Sequence, residues 1–205
     1  DGDGVNSHVR DLYAGDFGDN YRVRSYVTVY RVAEPAVSVD QAPVSENLAG
    51  AEALELEYPD GAHNAETLLV DPQTGDLYIV TKEDAGSSLV FQAAAPLTPG
   101  SRVTLLQVGE LPFGGTSLPG SNLATGGDVM PSGNGVIVKT YTSAYFWWRP
   151  PGAPLWAAFE TGACPAAVAS EPQGEAVGFT AAGDGYFTLS EGNNQPLYFY
   201  TMTSP

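Results

Sequence analysis

Residues 66–108 contain, in order, Glu66-Thr-Leu-Leu-Val-Asp71, Pro72-Gln-Thr-Gly75, Asp76-Leu-Tyr-Ile-Val-Thr-Lys82, Ser88-Leu-Val-Phe-Gln92 and Val103-Thr-Leu-Leu-Gln-Val108. The apolar runs are short, rich in Val, Leu and Tyr, and separated by turns that carry Pro or Gly. Runs of this kind are typical of β-strands. Four of them in meander order predict one blade of a β-propeller, and Glu66 opens its innermost strand.

A similar unit recurs twice further along the chain. The second copy opens at Asp128 and continues with strands over 136–141, 144–148 and 155–159, and the third opens at Glu175 and continues over 186–190 and 196–200. An incomplete copy precedes them, with second, third and fourth strands predicted over 9–14, 26–31 and 53–57. Its innermost strand is missing. Repetition of one supersecondary unit predicts a repeat architecture.

The repeats predict an all-β fold. We expect a single β-propeller domain over residues 1–205, with blade-like units at roughly 5–58, 62–110, 122–160 and 171–203. The strands make about three and a half four-stranded antiparallel blades, so the propeller is expected to be incomplete. A β-sandwich is the alternative fold for short strands of this composition.

The composition is strongly acidic. The chain has 24 Asp and Glu residues against eight Lys and Arg, which gives a formal net charge of −16. This charge repels nucleic acid phosphates and anionic membranes, so neither is expected as a partner, whereas cations are attracted. Acidic residues that only keep the protein in solution are the alternative explanation. No apolar run approaches about 18 residues, so no membrane span is predicted.

Cysteine and lysine usage bears on the compartment. Cys164 is the only cysteine, which excludes an intrachain disulfide and a Cys-based zinc site. Two lysines among many Gly, Pro and aromatic residues favour an exported bacterial protein. We therefore expect an extracellular or cell-surface location.

Three acidic residues open the predicted inner strands: Glu66, Asp128 and Glu175. Inner strands of a propeller run beside its axis, so these carboxylates are expected to meet at one mouth of the central channel. Their mutual repulsion must then be offset. A calcium ion is one solution, because it binds carboxylate, carbonyl and water oxygens. Ion pairs with Lys82 and Lys139, near the ends of the second strands, are the alternative.

A second calcium candidate is the loop Gly-Asp16-Phe-Gly-Asp19-Asn20. It has three oxygen-bearing side chains within five residues, although it lacks the regular spacing of an EF-hand. Asp16 and Asp19 are the expected ligands. Asx-turns without any metal use the same residue types.

Nucleophilic catalysis has little support in the sequence. There is no Gly-x-Ser-x-Gly motif, and His63 is the better of two histidines as a general base because it comes three residues before Glu66. A loop histidine with a structural hydrogen bond is the alternative for His63. Glu66 and Glu175 could act as a carboxylate pair in acid–base chemistry. These three residues are the weak catalytic candidates.

Several motifs resemble one family of bacterial proteins. They are Tyr13-Ala-Gly-Asp-Phe-Gly-Asp-Asn20, Val29-Tyr-Arg-Val-Ala-Glu-Pro35, Tyr58-Pro-Asp-Gly-Ala-His-Asn-Ala-Glu66, Ile79-Val-Thr-Lys-Glu83, Lys139-Thr-Tyr141, Glu171-Pro-Gln-Gly-Glu175 and Ser190-Glu-Gly192. This set resembles secreted or lipid-anchored propellers of phytase-like or esterase-like type. The resemblance implies a propeller fold and ligand-binding roles for Lys82, Glu83, Lys139 and Glu191. The chain departs from phytases in having only two lysines and no phosphate-binding cluster.

Two classes of function follow from these observations. The first is an extracellular binding module with an acidic channel mouth, calcium as its expected ion, and a ligand or protein partner that the sequence does not identify. The second is a calcium-dependent phosphoesterase or esterase-like hydrolase with its active site at the same mouth. The missing nucleophile and the shortage of basic residues favour the first class.

Overall fold

The structure is a computed structural model that describes residues 11–38, 40–84, 87–113 and 117–202. Residues 1–10, 39, 85–86, 114–116 and 203–205 lie outside the described part. The described chain is nearly all β and forms four small sheets arranged like a four-bladed propeller. The predicted propeller is thus confirmed over the β-sandwich alternative. Among the described residues no helix is both long and apolar enough to cross a membrane.

Fifteen strands and one short 3-10 helix make up the described chain. In chain order they are β1 (Asp11–Asp16), β2 (Val27–Ala33), β3 (Glu52–Glu57), β4 (Ala65–Val70), β5 (Leu77–Thr81), β6 (Ser88–Ala93), β7 (Val103–Thr104), β8 (Leu106–Leu111), β9 (Ala124–Val129), β10 (Gly135–Thr140), β11 (Ala144–Trp148), the 3-10 helix (Leu155–Glu160), β12 (Cys164–Ala166), β13 (Gly174–Phe179), β14 (Gly185–Ser190) and β15 (Tyr198–Thr201).

The strands pair in the order that a propeller requires. Blade 1 is β1-β2-β3-β7, blade 2 is β4-β5-β6-β8, blade 3 is β9-β10-β11-β12, and blade 4 is β13-β14-β15. Every pair is antiparallel except β3 with the two-residue β7. Blades 2 and 3 have four strands, and the described part of blade 4 has three, as the repeats predict.

Two outer strands differ from the prediction. The strand expected over 155–159 is instead a 3-10 helix, because Leu155 and Ala158 are buried at a spacing of three residues. Blade 3 is completed by β12, which the sequence pattern did not indicate. In blade 2 the outer strand begins at Leu106, since Val103 and Thr104 pair with β3 of blade 1.

In the described part of the chain β1 is the first of the four strands of blade 1, and it ends beside the start of β4. The end of β1 leads to Asp19, whose backbone amide donates to Asn64, and the amide after β5, that of Lys82, donates to the carbonyl of Asn64. Both strand ends therefore reach the start of β4. The missing inner strand of blade 1 stays a prediction, and residues 9 and 10 of the predicted second strand lie outside the described residues.

The core lies between neighbouring blades. The face of blade 1 that carries Val29 and Leu56 packs on Ile79 of blade 2, and Leu69 of blade 2 packs with Val136 of blade 3. In β10 alternate residues face opposite neighbours: Val136 and Val138 lie in the cluster shared with blade 2, and Ile137 in the cluster shared with blade 4. This is the alternation of a strand that is buried on both faces.

A buried ion pair links blades 2 and 3. Asp71 follows β4 and Arg149 follows β11, and their Oδ1 and Nη1 atoms are 2.9 Å apart. The guanidinium also donates to the carbonyls of Ala153 and Gly133. Because several hydrogen bonds satisfy both charges, the pair fixes the geometry of these two turns.

Candidate functional site

A central cavity of about 480 Å³ opens between the blades. It is bounded by β1 and by the starts of the inner strands of the other three blades. The lining includes Tyr13, Gly15, Phe17, Ala65, Glu66, Leu68, Thr125, Gly126, Gly127, Glu175, Ala176 and Val177. The predicted meeting of the inner strands at one axis is therefore what the structure shows for β4, β9 and β13.

A bulge at the start of each inner strand determines which side chain enters the cavity. The pairing register shifts between Ala65 and Thr67 in β4, and between Gly174 and Ala176 in β13. Glu66 and Glu175 are the extra residues at these two shifts. A bulge re-aims one side chain while the rest of the strand keeps its alternation. Both carboxylates consequently line the same cavity.

The equivalent residue in blade 3 is Thr125 and not Asp128. The register of β9 on β10 shifts so that Gly126 faces Lys139 and Ala124 faces Thr140, which leaves Thr125 as the extra residue. Its hydroxyl donates to the carbonyl of Gly174 at 2.8 Å. Thr125 therefore ties blade 3 to the strand that carries Glu175.

Asp128 has a different position from the predicted one. It lies three residues beyond the bulge, where its two oxygens accept hydrogen bonds from the amides of Val129 at 2.8 Å and Phe179 at 2.7 Å. Burial raises the pKa of Asp128, and the two amides act in the opposite direction. The carboxylate thus joins β9 to β13 and is not a third acid at the cavity.

Glu66 forms an ion pair with Lys82. The Lys82 ammonium lies 2.6 Å from Glu66 Oε2 and 2.5 Å from the hydroxyl oxygen of Tyr141, and it also approaches the Tyr141 ring. Burial lowers the pKa of Lys82, but the hydrogen bonds to Glu66 and Tyr141 outweigh it and the net shift is upward. The charge of Glu66 is therefore offset by Lys82, which is the ion-pair alternative given by the sequence.

Glu175 has no lysine of its own. Its Oε1 accepts a hydrogen bond of 2.9 Å from the amide nitrogen of Gln173, which also donates to Glu191 at 2.5 Å. Burial raises the pKa of Glu175, the Gln173 hydrogen bond lowers it, and the charge of Glu66 raises it further, so the net shift is upward. Glu66, Glu175 and Glu191 together carry more negative charge than Lys82 neutralises.

Lys139 does not pair with an inner-strand acid. Its ammonium lies 2.9 Å from Glu171 Oε2, and both side chains are almost completely buried. The other oxygen of Glu171 accepts the hydroxyl of Thr188 at 2.6 Å. A Cβ on Gly174 would lie 2.3 Å from the Lys139 ammonium, so a larger residue there would displace the buried ion pair. This pair supports the backbone just before Glu175.

His63 and Glu83 lie in a polar network beside this mouth. The ring nitrogens of His63 are each 3.0 Å from a carboxylate oxygen, of Glu83 on one side and Asp60 on the other. Glu83 also pairs with Arg22 at 3.3 Å. Because both nitrogens of His63 are engaged, the geometry matches the structural alternative better than the role of a general base.

The Asp16–Asp19 loop has the geometry of the turn alternative. One oxygen of Asp19 accepts the amides of Val23 and Arg24, each at 2.7 Å. Asp16 pairs with the Arg24 guanidinium at 2.7 Å. Within the described part of the chain, no three His, Cys, Asp or Glu side chains form a preassembled metal site. Calcium binding therefore stays a prediction.

Two residues of the site carried weak sequence signals. Tyr141 and Glu171 fall in motifs of the family resemblance, yet nothing in their spacing indicated Lys82 and Lys139 as their partners. The role of Thr125 could not be predicted, because the sequence does not show where the bulge of β9 falls. The sequence indicated Asp128 instead, because it is acidic, like Glu66 and Glu175. Compared with known families and with curated proteins, the sequence matches neither a family model nor a curated protein.

The shifted pKa of Glu175 leads to a prediction. Glu175→Gln should be more stable than the wild type at pH 7, because it removes a partly buried negative charge next to Glu66. The gain in Tm should be only about 1–3 °C, since water screens part of the repulsion at this half-buried position. A carboxyl with a raised pKa in the folded state gains stability as the pH falls through that value toward the ordinary one near 4.5. The difference between variant and wild type should therefore narrow as the pH falls.

Thermal unfolding from pH 7 to pH 4 in the presence of chelator measures this difference. Glu160→Gln, an exposed glutamate at the end of the 3-10 helix, is the matched control and should show no narrowing. A constant difference for Glu175→Gln would mean that the carboxylate is not under electrostatic strain in the folded protein.

Proposed function

We propose that this protein is a propeller-type binding module that takes a cationic ligand in its central cavity. The observation that carries the proposal is the pair of equivalent bulges, which directs Glu66 and Glu175 into one cavity. Lys82 compensates Glu66, and the remaining negative charge belongs to Glu175 and Glu191. Bulges next to ligand sites commonly re-aim a side chain in this way.

Calcium is the proposed cation. It accepts carboxylate, amide carbonyl and water oxygens in flexible geometry, so two glutamates, the carbonyl oxygen of Gln173 and water could form its shell. A site with this few protein carboxylates corresponds to affinities of about 10⁻⁴–10⁻³ M, the range of extracellular modules. The proposal thus agrees with the expected extracellular location, which is itself a proposal.

The test compares the Tm measured with calcium and the Tm measured with chelator. The calcium concentration is about 5 mM, roughly ten times the proposed dissociation constant. A ligand that binds only the folded state raises Tm by mass action, here by about 1.4 kcal/mol or roughly 3–5 °C. Glu66→Gln and Glu175→Gln should each abolish the rise, and Glu160→Gln should keep it. Equal rises in all four proteins would exclude the cavity as the site.

A hydrolase is the second candidate, and one observation favours it. Glu66 forms an ion pair with Lys82, whereas the pKa of Glu175, which lines the same cavity, is raised. Two carboxylates with different environments can divide the roles of base and acid between them. Turnover of phosphate or acyl esters that requires Glu175 and is lost in Glu175→Gln would establish this function. Absence of turnover together with calcium binding leaves the binding module.

A further inference from the structure

The outer edge of blade 4 is open in the described structure. In blades 2 and 3 the third strands pair with a fourth antiparallel strand, β8 and β12 respectively. Among the described residues β15, the third strand of blade 4, pairs only with β14. An open edge presents backbone donors and acceptors that another strand can use.

The direction of these backbone groups follows from the register. Tyr200 lies opposite Tyr186, and the amide of Met202 donates to the carbonyl of Asp184. Because amides alternate in direction along an antiparallel strand, those of Tyr200 and Met202 point to β14. The amides and carbonyls of Phe199 and Thr201 point away from β14, toward the open edge.

An apolar groove of about 500 Å³ runs beside this edge. One wall is formed by blade 3 through Phe146, Trp148 and the strand β12, and the other by blade 4 through Tyr186, Tyr200 and Met202. Trp148 is 42% exposed, while its neighbour Trp147 is only 4% exposed and packs between blades 2 and 3. The groove therefore offers apolar surface directly next to unpaired backbone.

We propose that this groove is a strand-docking site, which binds an extended segment of a partner polypeptide as the fourth strand of blade 4. The partner strand would run antiparallel to β15, like β8 on β6 and β12 on β11. Its backbone would bond to Phe199 and Thr201, and alternate apolar side chains would enter the groove. This is β-augmentation, in which backbone bonds give affinity and alternate pockets give selectivity.

The outward backbone groups of this edge favour an extended strand over a compact ligand. A compact apolar ligand would fill the groove but leave the outward backbone groups of Phe199 and Thr201 without partners. A second copy could present its own β1 or β15, which end their sheets among the described residues, and pairing between copies would appear as self-association without peptide. In blades 2 and 3 the fourth position is occupied by an antiparallel strand, β8 or β12, and the same kind of segment fits the edge of blade 4.

The test uses an acetylated and amidated peptide, Lys-Thr-Val-Thr-Val-Thr-Val-Lys, whose basic ends also suit a protein of charge −16. Binding should slow the hydrogen exchange of the Phe199 and Thr201 amides by about tenfold or more. It should also shield Trp148, giving a shift of the tryptophan emission that Trp148→Phe removes. The same peptide with proline in place of its central threonine should do neither.

Two variants separate docking from loss of fold. Thr201→Pro removes an outward amide and should weaken binding about five- to tenfold, whereas Thr201→Ala keeps the amide and should bind like the wild type. If Thr201→Pro does not fold, Trp148→Ala serves instead and should weaken binding in a protein that still melts cooperatively. Unprotected Phe199 and Thr201 amides, equal binding by Thr201→Pro, or protection that arises from self-association without peptide would each overturn the proposal.

Discussion

Replacing Lys139 with Met is expected to lower the free energy of unfolding by about 3–5 kcal/mol, or roughly 6–20 °C in Tm. The Lys139 ammonium and the Glu171 carboxylate are both almost completely buried and 2.9 Å apart. Apart from the Thr188 hydroxyl on its other oxygen, Glu171 has no further partner among the described residues. Without Lys139 its charge is left buried and uncompensated, which is far more costly than the loss of an exposed pair.

The double variant Lys139→Met with Glu171→Gln is the control. Glutamine keeps an acceptor for Thr188 and removes the charge, so the double variant should recover more than half of the loss. Thermal or denaturant unfolding of the four proteins in this cycle gives the coupling between the two residues. Additive losses would show that the pair does not act as a unit.

Gly126→Ala is expected to destabilise the protein by about 1–3 kcal/mol and to abolish the calcium response of the cavity. A Cβ on Gly126 would lie 2.4 Å from the backbone carbonyl oxygen of Glu175, so β9 and β13 would have to separate. That oxygen belongs to the residue proposed to hold the cation. Overpacking at this contact therefore acts on stability and on the site together.

Gly109→Ala is the matched control for this substitution. Gly109 also lies in a strand with an ordinary backbone, but a Cβ there would meet only Val90 at 3.8 Å, an ordinary contact. This variant should unfold within about 0.5 kcal/mol of the wild type and keep the calcium response. If Gly126→Ala behaves like Gly109→Ala, the close approach of β9 to β13 is not what positions Glu175.

The fold could be predicted largely from local pattern. In 66–93 the alternation of apolar residues and the Pro- and Gly-bearing turn specify strands and their order, and the recurrence of the unit specifies the propeller. The outer strands were the exception. Residues 155–159 are as apolar as a strand. They form a 3-10 helix after Pro154, in which Leu155 and Ala158 are buried at a spacing of three residues. Packing against blade 2 determines this spacing, and the sequence does not show that packing.

The candidate site was predicted in part. Glu66 and Glu175 line one cavity, as their equivalent places in the repeat suggested. Asp128 does not, because the bulge of β9 falls at Thr125 and leaves the carboxylate to bind the amide of Phe179. The ion-pair partner of Lys139 could not be predicted from the sequence either. Lys139 contacts Glu171 across the interface of blades 3 and 4, and no spacing in the sequence indicates that contact.

The most direct measurement is a crystal structure of the protein soaked with manganese or a lanthanide as a calcium substitute, examined by anomalous scattering. We expect one strong anomalous peak in the central cavity, with oxygens of Glu66 and Glu175 within about 2.6 Å of it, and no such peak in Glu175→Gln crystals treated alike. An empty cavity, or a peak confined to the Asp16–Asp19 loop, would contradict the account.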